Sequence, residues 1–156
     1  MNGVQKYDLP VELTYPILDH IDSDDCGAYI LGMVEERPHW DMMGAKMNAI
    51  RTQALIKECD ILIVKFGEQY RQWNAALDVG YATAQDKSII TIHPPSLSHM
   101  LKEVNACANA VCSSPDQAVR TLHYIIHGDL ATSHPPHDGD QYVPIANRLG
   151  KGNPNP

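Results

Sequence analysis

Two short apolar runs, separated by a single helical pattern, restrict the fold more than any other feature of the chain. Asp60 introduces Ile61-Leu62-Ile63-Val64, and Ser88-Ile89-Ile90-Thr91-Ile92 follows downstream. Runs this short, without polar alternation, predict strands covered on both faces. His93-Pro94-Pro95 ends the second run, because proline cannot donate to a sheet ladder. Residues 69–86 between them carry a helical pattern, with Tyr70, Trp73, Leu77 and Ala84 expected on the inner stripe. Strand, helix and strand in succession predict parallel neighbours joined by a right-handed crossover.

The flanking segments extend the alternation. Val11-Glu12-Leu13-Thr14-Tyr15 alternates apolar and polar, as a strand with one covered face does. Residues 19–27 are polar and turn-rich, and a loop is expected from there to about Met43, broken by the apolar patch Tyr29-Ile30-Leu31. Residues 45–59 read as a helix with Met47, Ile50 and Ala54 on one stripe. A short helix over 98–105 and an edge-like strand over 106–112 follow. Ser114-Pro115-Asp116-Gln117 is a helix start, with Ser as cap, Pro first and Gln three residues after the cap. Val119, Leu122 and Ile126 supply the stripe of that helix and Gly128 its stop. The expected fold is α/β, a parallel sheet with helices on both faces.

The 156 residues suit one domain. Twelve Lys+Arg against nineteen Asp+Glu leave a net charge of -7, which argues against a binder of nucleic-acid polymers, whose affinity comes largely from cations on phosphate. A small nucleoside or phosphorylated ligand needs only a local site and remains open. No run of about 18 apolar residues is present, so no membrane span is expected. The amino terminus lacks the apolar stretch of a secretory signal. Cys26, Cys59, Cys107 and Cys112 have no CxxC spacing, and reduced thiols in a cytoplasmic protein are expected. Residues 129–156 hold five prolines and three glycines with little apolar periodicity. They are expected to be a disordered tail behind a domain of residues 1–128. Its His134 and His137, split by prolines, read as a solvated segment rather than a metal pair. Without GxGxxG or GxxxxGK[ST], neither a dinucleotide nor a P-loop site is indicated. No cofactor and no metal is expected.

Ligands of open α/β sheets bind beyond the carboxyl ends of the strands. Two segments fall there: Phe66-Gly67-Glu68-Gln69-Tyr70-Arg71-Gln72-Trp73-Asn74 and His93-Pro94-Pro95-Ser96. The first combines glycine, aromatics, amides and both charge signs, the groups that stack on a base and bind a sugar. An ordinary polar loop with a Trp anchor is the competing explanation. Asn74 and Asp78 share a helix face, with Tyr81 one turn further. Asp78 sits beside Leu77 and Val79, and a carboxylate against an apolar wall can serve as nucleophile or acid/base. From the residues alone, an Asp that bonds a neighbouring loop is the reading to prefer. Asn48 and Arg51 lie three apart on the preceding helix; Arg51 could clamp an anion or pair with an acid. Asp22, Ser23, Asp24 and Asp25 read as a solvated acidic loop, since no calcium-loop pattern surrounds them.

At these residues a family resemblance emerges. Cys59-Asp60-Ile61-Leu62-Ile63-Val64 followed by Asp78-Val79-Gly80-Tyr81-Ala82 resembles the nucleoside 2-deoxyribosyltransferase superfamily. Closer still is the resemblance to its YtoQ family, carried by Asn48-Ala49-Ile50-Arg51-Thr52, Phe66-Gly67-Glu68-Gln69-Tyr70-Arg71-Gln72-Trp73-Asn74-Ala75 and Leu101-Lys102-Glu103. It spans roughly residues 9–130. The resemblance implies a flavodoxin-like sheet, transfer or hydrolysis at an N-glycosidic bond, and self-association through helices beside the site. It places Asp78 where the superfamily has a Glu nucleophile, in a pattern D-x-G-T-x-x-E-x-G-Y-A. Gln72, Asn74 and Ala75 depart from that pattern, standing where it has Asp, Gly and Thr, and Asp reaches one methylene less than Glu. The expected substrate-binding set is Phe66, Gly67, Tyr70, Gln72, Trp73, Asn74, Tyr81, Asn48, Arg51 and His93, around Asp78. Non-catalytic nucleoside binding and an inactive isoform are the alternatives. YtoQ-like chains also begin with a strand of the type Y-L-A-G-E-I-H, which is not found here. The chain is therefore expected to lack the first, central strand of the sheet, as a truncated or alternatively started form would.

Overall fold

The computed structural model describes Val4 and residues 7–17, 19–32, 39–67 and 73–129. The chain divides into two compact units, Met1–Val119 and Arg120–Pro156. The first holds α1 (His20–Asp24), α2 (Cys26–Leu31), α3 (His39–Glu58), β1 (Ile61–Lys65), α4 (Trp73–Ala84), β2 (Ser88–Ile92), a 3-10 turn (Pro95–Leu97), α5 (Lys102–Ala106) and β3 (Ala110–Cys112). The last helix, α6 (Pro115–His127), begins in the first unit and ends in the second. The expected tail lies outside the described residues beyond Asp129.

The two apolar runs are parallel neighbours, as their pattern requires. The sheet order is β1-β2-β3, with Leu62 opposite Ile89 and Val64 opposite Thr91. This is an α/β, flavodoxin-like arrangement. Successive side chains of a strand point to opposite faces. In β2, Ile89 and Thr91 on one face and Ile90 and Ile92 on the other are all buried, so both faces of the middle strand are covered. β1 is less enclosed than expected: Val64 is buried, but Ile63 is 36 % exposed. It forms one edge of the described sheet, which accounts for the difference. No strand precedes Ile61 among the described residues. Residues 11–17 contain none, correcting the expected Val11–Tyr15 strand. There the Val11 N–H is turned back onto the Leu9 carbonyl (2.8 Å), and only Leu9 is buried.

Asn109 sets the register of the other edge. Its N–H donates to the Ile89 carbonyl, and its side-chain Oδ1 accepts the Ile89 N–H, both at 2.8 Å. The side chain thus substitutes for a ladder carbonyl, and the strand expected over 106–112 shortens to Ala110–Cys112. The helix expected over 98–105 resolves into the 3-10 turn and α5.

Three helical stripes differ from expectation. Residues 19–31, expected as turn and loop, form α1 and α2. The helix expected over 45–59 starts earlier, at His39, and its buried side carries Gly44 and Ile56 rather than Ile50, which is exposed. A close helix approach is the cause. A Cβ on Gly44 would lie 2.9 Å from the carbonyl oxygens of Ser23 and Asp24, and one on Gly27 would lie 2.8 Å from Met43 Cβ. In α4 the expected inner residues Trp73, Leu77 and Ala84 are exposed, while Val79 and Ala82 are buried and Ala75 and Ala76 partly so. Small side chains let α4 settle close on Val64, Phe66 and Ile89, with Ile56 completing the cluster.

The start of α6 is as expected, with one shift. Ser114 Oγ accepts the Gln117 N–H, but Gln117 Oε1 reaches the N–H of Ser113 (2.7 Å) rather than of Ser114. Gly128 takes a left-handed conformation (φ 68°) after the helix.

Candidate active site

The carboxyl ends of β1 and β2 and the first turns of α4 gather most of the candidate residues. The ladder continues past β1: the Phe66 N–H donates to the Ile92 carbonyl (2.8 Å), and the His93 N–H to the Cys112 carbonyl (3.0 Å). Phe66 is only 4 % exposed and belongs to the core cluster with Val79, Ala82 and Ile89. It is thus buried at the carboxyl end of β1. Gly67 follows it, half-buried. Tyr70 and Gln72 lie outside the described residues. Trp73 opens α4 at 71 % exposure, and Asn74 beside it is exposed.

Asp78 lies one turn after Asn74 on the flank of α4, between the face that meets the sheet and the outward face. Helical spacing puts Ala82 and Val79 on its inner side and Asn74 and Tyr81 alongside it. Tyr81 is half-buried and packs against the core cluster. The Asp78 carboxyl is held above its ordinary value of 3.8, because burial strips water from the charged form. Among the described residues no hydrogen bond or ion pair compensates it. A carboxylate that has already shed part of its hydration has less to lose when it attacks an electrophile.

Asn48 and Arg51 occupy a different part of the framework. The Asn48 amide donates to the Ser23 carbonyl at 2.7 Å, tying α3 to α1. Arg51, one turn on, is exposed. Asp22, Ser23 and Asp24 lie within α1, and the described residues contain no cluster of acidic, His and Cys side chains that could hold a metal. The four cysteines are free thiols. No described helix is long and apolar enough to cross a membrane.

One candidate, His93, has partners that its place in the sequence did not name. His93 is 3 % exposed and Thr91 fully buried on the same strand face, and both meet Asn105 of α5. The signal was there: Thr91 and His93 are two polar residues, two apart, in an otherwise apolar strand. Such a pair on one covered face demands a polar partner.

The family model described as "Nucleoside 2-deoxyribosyltransferase YtoQ" matches residues 1–126. A Bacillus subtilis (strain 168) protein described as "Uncharacterized protein YtoQ" is 38 % identical over 117 residues, covering 75 % of this chain and 79 % of the relative.

Proposed function

The chain belongs to the nucleoside 2-deoxyribosyltransferase YtoQ family, and on that footing we propose that it transfers or hydrolyses the N-glycosidic bond of a nucleoside or nucleotide, with Asp78 as nucleophile. The observation that carries this reading is the half-buried Asp78 carboxyl, raised by burial, on the first turns of the helix that leaves the β1 strand end. The Asp78 carboxylate attacks the anomeric carbon as the C–N bond breaks. The base departs with the bonding pair and takes a proton from water, leaving a glycosyl ester on Asp78. A second base or a water then attacks the same carbon, the ester bond breaks and the carboxylate returns, so configuration at the sugar is retained.

Asn74, on the face of Asp78, orients the carboxylate or binds a sugar hydroxyl. Tyr81 borders it, and Tyr70, Gln72 and Trp73 supply faces and edges for the base. Phe66 and Gly67 follow at the carboxyl end of β1. The protein acts as a soluble cytoplasmic enzyme on small molecules in this reading.

Incubation with a panel of nucleosides and nucleotides, with chromatography of the free base, is the test. The wild type releases or exchanges base, and Asp78→Asn loses about 10³-fold or more in kcat with its fold intact by circular dichroism. Full activity in Asp78→Asn overturns the assignment. The departures at Gln72, Asn74 and Ala75 favour one second reading, a nucleoside-binding module without turnover. That reading predicts a thermal shift with ligand and no free base.

A further inference from the structure

At the carboxyl end of β2 a buried imidazole meets oxygen on both sides. His93 Nδ1 lies 2.9 Å from the Pro94 carbonyl oxygen, and Nε2 lies 3.1 Å from Asn105 Oδ1. As placed, the same amide oxygen accepts the Thr91 hydroxyl at 3.2 Å. These groups are enclosed, with His93 at 3 % and Thr91 at 0 % exposure, so each polar atom must find its partner within the protein.

Counting hydrogens restricts the arrangement. A carbonyl only accepts, so Nδ1 must carry a proton to bond Pro94. A ring with a single proton then presents Nε2 as an acceptor, and Asn105 must donate to it. The oxygen and nitrogen of an Asn amide are interchanged by a half-turn of the group, and the hydrogen-bond network decides between them. With the NH2 turned toward His93, its two hydrogens serve both neighbours, one on His93 Nε2 and one on Thr91 Oγ1. Both ring nitrogens are then satisfied without placing a charge in the covered strand end, and Thr91 Oγ1 changes from donor to acceptor. The opposite amide orientation either sets an unprotonated Nδ1 against the Pro94 carbonyl or needs a doubly protonated ring, a buried cation among neutral groups.

We infer that His93 is a positioning residue, a neutral Nδ1–H imidazole that pins the Pro94 carbonyl on one side and α5 through the Asn105 amide on the other. Both ring nitrogens are consumed by the protein, which reassigns His93 from the substrate-binding set expected for it. What it holds is the corner between β2 and α5. Leu97, Leu101 and Val104 of that corner pack against the cluster containing Val79 and Ala82, the inner face of the helix that carries Asp78. The link to catalysis rests on the function proposed above; the tautomer does not depend on it.

Long-range 15N–1H correlation spectra of the full chain, with histidine labelled and His93 assigned by its absence in His93→Gln, read the tautomer directly at pH 7.5. The expected pattern is a protonated Nδ1 and an unprotonated Nε2, the less common form of free imidazole. Thr91→Val removes one acceptor of the amide and leaves that pattern unchanged. Asn105→Asp replaces the donor with an acceptor, and both ring nitrogens then show protonated shifts at the same pH. If Asn105→Asp does not fold, the wild-type and Thr91→Val spectra still decide the matter. A wild-type ring protonated at Nε2 alone, or at both nitrogens, overturns the inference. A wild-type tautomer that switches when nucleoside is added overturns it too. None of these readouts requires turnover, so a protein without nucleoside-cleaving activity leaves the test intact.

Discussion

Asp78 works against the stability of its own fold. Its carboxyl is raised by desolvation, so the native state holds the proton more tightly than the unfolded chain does. Between the unfolded value near 3.8 and the higher folded value, the native state binds more protons. Stability from this group is therefore fully present below that window and falls as pH rises through it, with the whole penalty in force at neutral pH. Asp78→Asn removes the charge while keeping the shape. Its melting temperature should exceed that of the wild type at pH 7, and the gain should shrink to nothing below about pH 3.8. A variant that melts lower at pH 7, or a gain independent of pH, refutes the account. A carboxylate that costs stability at neutral pH is what a site, rather than a core, would select. The half-burial of Asp78 was legible from its apolar neighbours, but one of them was misjudged. Leu77 points outward, and Val79 and Ala82 on the helix's inner face make the wall. The pairing of His93 with Asn105 was not legible, because it joins a strand end to a helix twelve residues away and no local period encodes it.

Among the elements, periodicity located the helices better than their faces. α4 carries apolar side chains on two opposite faces, so a rule that turns the largest ones inward picks the wrong stripe. Close contact with the sheet selects Ala75, Val79 and Ala82, and Trp73 and Leu77 are left outside at 71 % and 73 % exposure. The same logic governs α3, where Gly44 meets the backbone of α1. Gly44→Ala forces its Cβ to 2.9 Å from two carbonyl oxygens that cannot swing aside. Overpacking of this kind costs about 1–3 kcal/mol, read as a lower urea midpoint at unchanged slope. An unchanged midpoint means that α1 moves away without cost and the close approach is not needed. The outward stripe of α4 has its own consequence. Two large apolar side chains one turn apart, beside the exposed Gly80, form a patch rather than scattered contacts. The self-association that the family resemblance implies, through helices beside the site, would place a second copy there. Sedimentation velocity at micromolar concentration should then show an assembly for the wild type and a monomer for Leu77→Lys. A monomeric wild type removes the stripe as a self-interface.

For the molecule as a whole, the apolar runs mattered most, since only a strand buried on both faces can dispense with alternation. Ser88–Ile92 fulfils that pattern fully and Ile61–Lys65 only in part, because one lies in the middle of the described sheet and the other at its edge. The adjacency and parallel sense of these two strands were thus readable in the sequence. The fate of Val11–Tyr15 was not, since alternation says what a strand could bury and not whether a sheet edge receives it. This asymmetry makes a prediction about local opening within residues 1–119. Amides protected by two covered faces exchange only through large openings, whereas those on thin or edge elements exchange through small ones. Native-state hydrogen exchange should rank the amides of β2 slowest, β1 faster, and α1 and α2, which rest on α3 through the Gly27–Gly44 contact and the Asn48 bond to Ser23, fastest of all. Equal protection of α1 and β2 would contradict this, because it would require the short amino-terminal helices to open only when the central strand does. The order matters for the proposed chemistry. Asp78 lies on the helix that covers β2, and a nucleophile that must meet an anomeric carbon repeatedly needs the slowest-opening part of the fold behind it.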